Sequence, residues 1–163
     1  MPYYNVDQDG FWKIGPESLE WMRVVAEAID VKIARFPLGD PEDPATPFVS
    51  VLSMPPNYEL WRHKHDCWRF EAIIRGSITT DGQTLGVGDV MTSAPFQAYG
   101  PYFAGPEGCT TVEVFSTRDG MSSKIDEDTD PRAAEFLRSL LVDDDPSRRE
   151  AAQIAFHDSG LTE

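Results

Sequence analysis

The chain has 163 residues, 40% of them hydrophobic and 26% charged. That balance belongs to an ordinary globular domain and excludes a disordered chain or a disulfide-stapled miniprotein. Fourteen basic residues against 28 acidic ones leave a net charge of −14, which gives no basic footprint for nucleic acid or for an anionic membrane surface.

The opening MPYYNVDQDGFW has neither the basic start nor the apolar core of an export signal. No apolar run approaches the roughly 20 residues of a membrane helix. The expectation is a cytoplasmic protein, with Cys67 and Cys109 as free thiols. Texture divides the chain into an N-terminal arm with a short helix (1–30), a β-rich body (31–120) and an acidic helical extension (121–163).

In chain order, residues 16–29 carry Leu19, Met22, Val25, Ala26 and Ile29 near helical spacing behind Pro16, which predicts a short helix. VKIARFPL and PFVSVLSM read as strands joined by the loop GDPEDPAT. PPNY is a turn, ELWRHKH a strand, and WRFEAIIR a strand ending at Gly76. SITT and QTLGV flank Asp81-Gly82, a tight-hairpin signal. VMTSA and CTTVEVFS complete the strands, while Gly100-Pro101 and Gly105-Pro106-Glu107-Gly108 read as a loop over one end of the body. Many short strands with regular turns imply an all-β sandwich or barrel. Asp130-Pro131 starts a helix with Ala133, Phe136, Leu137, Leu140 and Leu141 on one face, and Pro146 starts another that stops at Gly160. The apolar stripe at 133–141 is expected to pack on the body or on a partner subunit.

His63-Lys64-His65 is the sharpest chemical feature. In a strand, positions i and i+2 face the same way, so two imidazoles can share one metal ion, with Fe, Zn, Ni, Cu or Mn suiting the donors. Arg69, Glu71 and Ile73 alternate on one face of the next strand, which makes Glu71 the nearest carboxylate. Tyr99 and Gln97 share a face further on. The ligand set expected from these residues is His63, His65 and either Glu71 or Tyr99. The same residues also allow a pocket without metal, with Arg69 holding a carboxylate or enolate, a histidine as base and Tyr99 as acid. Trp61, Trp68, Phe70, Phe96, Tyr102 and Phe103 are candidates to line an apolar pocket, together with Gln97.

PPNYELWRHKH and GVGDVMTSAP, with their spacing, resemble the two motifs of the cupin superfamily over roughly residues 31–117. The resemblance implies a single-domain antiparallel β-barrel of jelly-roll type with a metal in its mouth, and pairing into a homodimer. Length and first motif look closest to the ChrR-like cupins, which include relatives of acetylacetone dioxygenase and dihydroxyacetophenone dioxygenase. That likeness implies a divalent transition metal, iron first, and an oxygen-dependent reaction on a small organic substrate. The family's glutamate position holds Arg69 here and its second-motif histidine position holds Tyr99. Those departures point to the alternative, a metal-free binding or sensing protein, or an isomerase, lyase or cyclase.

Overall fold

The computed structural model describes residues 1–125 and 129–161. The predicted first helix is a 3₁₀ turn at Glu17–Leu19 running into α1, Glu20–Ala28. It stops where Asp30 takes a positive φ of 57°, and Val31 N–H then donates to the Ala26 carbonyl. The strands are β1 (Lys32–Pro37), β2 (Phe48–Met54), β3 (Glu59–Leu60), β4 (Arg69–Thr80), β5 (Gln83–Gly86), β6 (Val90–Ser93) and β7 (Tyr102–Phe115). The fold is all-β with flanking helices, as expected. All pairings are antiparallel in one seven-stranded sheet, ordered β1-β2-β7-β4-β5, with β3 on β7 and β6 on β4.

Two strands are longer than the sequence suggests. β4 runs through Gly76 instead of ending there, and β7 absorbs the stretch 102–108 read as a loop. The reason is a shared bend. The β4–β7 register slips around Arg75 and Gly76, and a side chain at Gly76 would sit 2.0 Å from the Gly108 carbonyl oxygen. Both glycines have positive φ, so the two strands can pass close together and turn without breaking. One half of each long strand then serves each half of the folded-over sheet. The apolar core lies between them, around Val31, Ile33, Met54, Ile73, Ile78 and Ala104.

Register also builds a polar row across the inner face. Arg35 on β1 lies opposite Ser50 on β2, Ser50 opposite Glu113 on β7, and Glu113 opposite Glu71 on β4. Directly opposed residues share a face, so these four side chains form one line.

The C-terminal helices are α2 (Pro131–Leu140) and α3 (Pro146–Ser159). Asp130 and Asp145 cap them by accepting from Arg132 N–H at 3.1 Å and Ser147 N–H at 2.9 Å. Leu137, Ala155 and Phe156 pack with Trp21 and Val25 of α1. The stripe at 133–141 therefore closes on α1 and α3 of its own chain. Part of the predicted 121–163 extension, residues 126–128 and 162–163, lies outside the described residues.

Candidate functional site

The segment carrying the histidine pair is a strand only at Glu59–Leu60, yet it stays extended beyond it. His63 and Tyr99 exchange both backbone hydrogen bonds, at 3.2 and 3.0 Å, and Lys64 and Lys124 do the same at 3.3 and 2.8 Å. Held from both sides, the segment keeps its two-residue alternation and delivers both imidazoles to one place, with ring centres 5.1 Å apart. The Tyr99 hydroxyl lies 2.9 Å from His63 Nε2 and 2.7 Å from His65 Nε2.

Proton positions follow from the partners. His63 Nδ1 lies 2.9 Å from the Trp61 carbonyl, which only accepts, so Nδ1 carries the hydrogen and Nε2 offers a lone pair. Tyr99 O–H donates to that lone pair. Its oxygen is then free to accept from His65 Nε2–H, which leaves a bare lone pair on His65 Nδ1, a buried atom without a hydrogen-bond partner. The arrangement is a relay of neutral groups. Burial pulls the His63 pKa down to about 4, against the lift from the Trp61 carbonyl. It takes His65 well below its ordinary value, helped by His63 and Arg69 and opposed by the backbone at Met121 and Ser122. It also holds the Tyr99 phenol well above 10 despite the neighbouring Arg69 cation.

Beside this relay lies a charged cluster. The Arg69 guanidinium carbon sits 4.2 Å over the Tyr99 ring centre. Arg69 Nε donates to Glu113 at 2.8 Å, and Nη2 pairs with the Glu71 carboxylate. Tyr102 O–H donates to Glu71 at 3.2 Å. Burial alone would weaken the charge on Arg69, but Tyr99, Glu113 and Glu71 outweigh it and hold the guanidinium firmly protonated. Burial pushes the Glu71 pKa up, with Arg69 opposing. Arg35, at the far end of the polar row, has its pKa drawn down to about 10 by burial, partly offset by Glu113.

Both clusters border a cavity of about 170 Å³. His63, His65, Arg69, Glu71, Tyr102, Glu113 and Arg35 lie on its polar side, and Ser50, Arg62, Ser122, Ser123 and Asp158 also border it. Trp21 and Val25 of α1, Phe136 and Leu137 of α2, and Ala155 of α3 roof it. The helices thus cover the open end of the sheet.

Several expected site residues land elsewhere. Trp61 and Tyr102 line the cavity, and Trp61 packs on Phe136 with ring centres 5.2 Å apart. Phe70 does not line it: alternation with Arg69 and Glu71 turns it outward, 41% exposed. Trp68, Phe96 and Phe103 are exposed as well. Gln97 is also out of the pocket. Its side chain caps a turn, accepting from Ala94 N–H at 3.0 Å. Tyr99 stands behind the imidazoles and is absent from the cavity lining. Arg35 and Glu113 were missed. Their signal is a charge inside a mostly apolar run, Arg35 beside Ala34 and Phe36 in VKIARFPL, which also carries Lys32, and Glu113 as the single charge in CTTVEVFS.

A divalent metal, as the family resemblance implies, finds half of what it needs here. Two neutral imidazoles aimed at one point suit it. The third donor does not: Glu71 is committed to Arg69 and Tyr102, and no three His, Cys, Asp or Glu side chains among the described residues gather as a ligand set. The Tyr99 oxygen that does reach both imidazoles is a protonated phenol beneath a cation. The set expected from the sequence with Glu71 is therefore not assembled, because Arg69 takes the carboxylate first.

No protein-family model matches the chain, and no curated protein sequence does. Solved structures share its shape at low identity. An RmlC-like cupin protein from Ralstonia eutropha is 12% identical, with a TM-score of 0.47 over 72% of this chain and 81% of that one. The polyketide cyclase RemF from Streptomyces resistomycificus is 16% identical, with a TM-score of 0.44 over 52% and 63%. The complex of SigE with the anti-sigma ChrR from Rhodobacter sphaeroides gives 15% identity and a TM-score of 0.43 over 52% of this chain, spanning only 43% of the matched chain.

Proposed function

We propose that this chain is a cupin-like protein that encloses a small, mostly apolar organic molecule beneath its helices and moves a proton on it. The reaction class is proton abstraction next to a carbonyl, as in isomerases, lyases and cyclases. One observation carries the reading: a single phenol oxygen joins two neutral imidazoles at the wall of a cavity roofed by helices. Both histidines stay unprotonated at neutral pH, so each keeps a lone pair that can accept a substrate proton. His65 supplies the base through its unpartnered nitrogen, and Tyr99 passes the compensating proton toward His63. Arg69, over the Tyr99 ring, stabilises negative charge that develops on the phenol oxygen during transfer. Glu71 and Glu113 hold Arg69 in place.

The test is solvent-deuterium exchange into ring-sized cyclic ketones by the EDTA-treated protein. The reading predicts catalysed exchange that survives the chelator and falls about 10²–10⁴-fold in Tyr99→Phe, with an altered pH profile and little change in KM. Exchange that persists undiminished in Tyr99→Phe overturns it.

A second reading has its own observation, the convergence of both Nε2 atoms on one point. In it, His63, His65 and a deprotonated Tyr99 hold a divalent transition metal (iron, manganese, nickel or zinc). Such an ion would supply Lewis-acid or oxygen-activating chemistry. It predicts about one metal per purified chain, lost in His63→Ala/His65→Ala, and oxygen uptake with diketone or catechol-like compounds.

A further inference from the structure

We infer that Arg35 is an anion-binding residue inside the cavity, and that the molecule the cavity takes is a ring-sized, mostly apolar monocarboxylate seated on the Arg35 guanidinium. The inference rests on the reading of the cavity as a small-molecule site, and it names the substrate class.

Arg35 lines the cavity wall. Its Nε is buried without a hydrogen-bond partner. Among the described residues its side chain makes no ion pair, although the Glu113 charge acts on it from a distance. Glu113 is held by Arg69 Nε at 2.8 Å, and Glu71 is held by Arg69 and Tyr102. Both carboxylates of the row thus sit on the neighbouring Arg69, and neither is bonded to Arg35. A desolvated cation without a partner is unfavourable, and an incoming anion supplies what is missing.

Charge and shape narrow that anion. The position offers one planar fork of donors, with Ser50 opposite it in register. It matches a carboxylate's two oxygens and single charge. Phosphate, with more charge and more oxygens, is matched less well by a single guanidinium fork. Size narrows the remainder, since an apolar cavity of about 150 Å³ takes up a molecule as large as benzene, and this one holds about 170 Å³. Most of the other walls are apolar, from the helical roof and from Ile33, Leu52 and Leu60, with Arg62, Ser122, Ser123 and Asp158 at the remaining polar positions.

The experiment titrates the full chain with benzoate, with its neutral counterpart benzamide and with inorganic phosphate. Binding is followed by calorimetry and by the fluorescence of Trp21 and Trp61. The expected result is benzoate bound at least 10-fold more tightly than benzamide, with phosphate weaker than either. Arg35→Gln should bring benzoate to within 2-fold of benzamide while leaving benzamide unchanged, and Arg35→Lys should fall between. Equal binding of the two probes by the unaltered chain overturns the proposal, as does a benzoate preference that survives Arg35→Gln. Phosphate binding as tight as benzoate overturns the carboxylate assignment. If Arg35→Gln does not fold, the unaltered chain and Arg35→Lys decide. Benzamide binding with no preference for benzoate removes Arg35's role and leaves the relay standing. Failure of the relay shows instead as deuterium exchange indifferent to Tyr99→Phe.

Discussion

Two buried polar clusters meet where Arg69 lies over the Tyr99 ring, and they are built on opposite plans. Around Tyr99, burial keeps every group neutral, and the hydrogen bonds join uncharged partners. Around Arg69, two carboxylates lock one cation from two directions. The first arrangement suits chemistry, because its uncharged rings keep lone pairs open to a proton. The second suits rigidity, because taking away either partner leaves a buried charge alone. Position in the sheet decides which is which. The charged residues lie on long, fully paired strands, whereas the relay sits on an extended segment clamped only by isolated bridges.

The largest expected effect sharpens this contrast. Arg69→Ala strands Glu71 and Glu113 in the interior and should cost about 3–5 kcal/mol in urea unfolding. A loss under 1 kcal/mol would mean the cluster is not the brace described. Next comes pH. The imidazoles are neutral in the fold, with His63 down to about 4 against an ordinary value of 6.5, and His65 is lowered too. Above pH 6.5 both rings are neutral folded or unfolded, and their contribution is fully present. As pH falls from 6.5 toward 4, the unfolded chain takes up protons that the fold refuses. Stability should therefore drop by about 1.4 kcal/mol per pH unit for each ring, read from denaturation midpoints at constant slope. Tyr99→Phe removes one hydroxyl shared by two rings and should cost about 1–3 kcal/mol, less than Arg69→Ala although the sites touch. At the low end, Phe96→Ser on the outer surface, where Phe96 is 66% exposed, should change stability by no more than about 0.5 kcal/mol.

Much of this was readable from residues alone. The hairpin at Asp81-Gly82 is present, with both residues at positive φ as a tight turn requires. The helix starts at Pro131 and Pro146 are where capping chemistry put them. The histidine pair faces one way as alternation predicted. What failed was distance along the chain. A glycine-rich stretch reads as a loop unless its partner strand is known, and only the approach of Gly76 to Gly108 shows why 102–108 stays in the sheet. Aromatic residues looked alike in sequence, yet strand parity put Tyr102 inside and Phe70 outside. Alternation already sets Arg69 beside Glu71, but Glu113, which holds Arg69 from the other side, arrives only through the β4–β7 register. Arg35 and Glu113 come together only through the β1–β2–β7 register.

The most direct test of the relay is nitrogen NMR of the His63 and His65 rings in the chelator-treated protein at pH 6. The account predicts two neutral rings of opposite tautomer, His63 protonated on Nδ1 and His65 on Nε2, with Tyr99→Phe perturbing both together. Charged rings at that pH, or two rings protonated on Nδ1 with both Nε2 atoms bare, would contradict it.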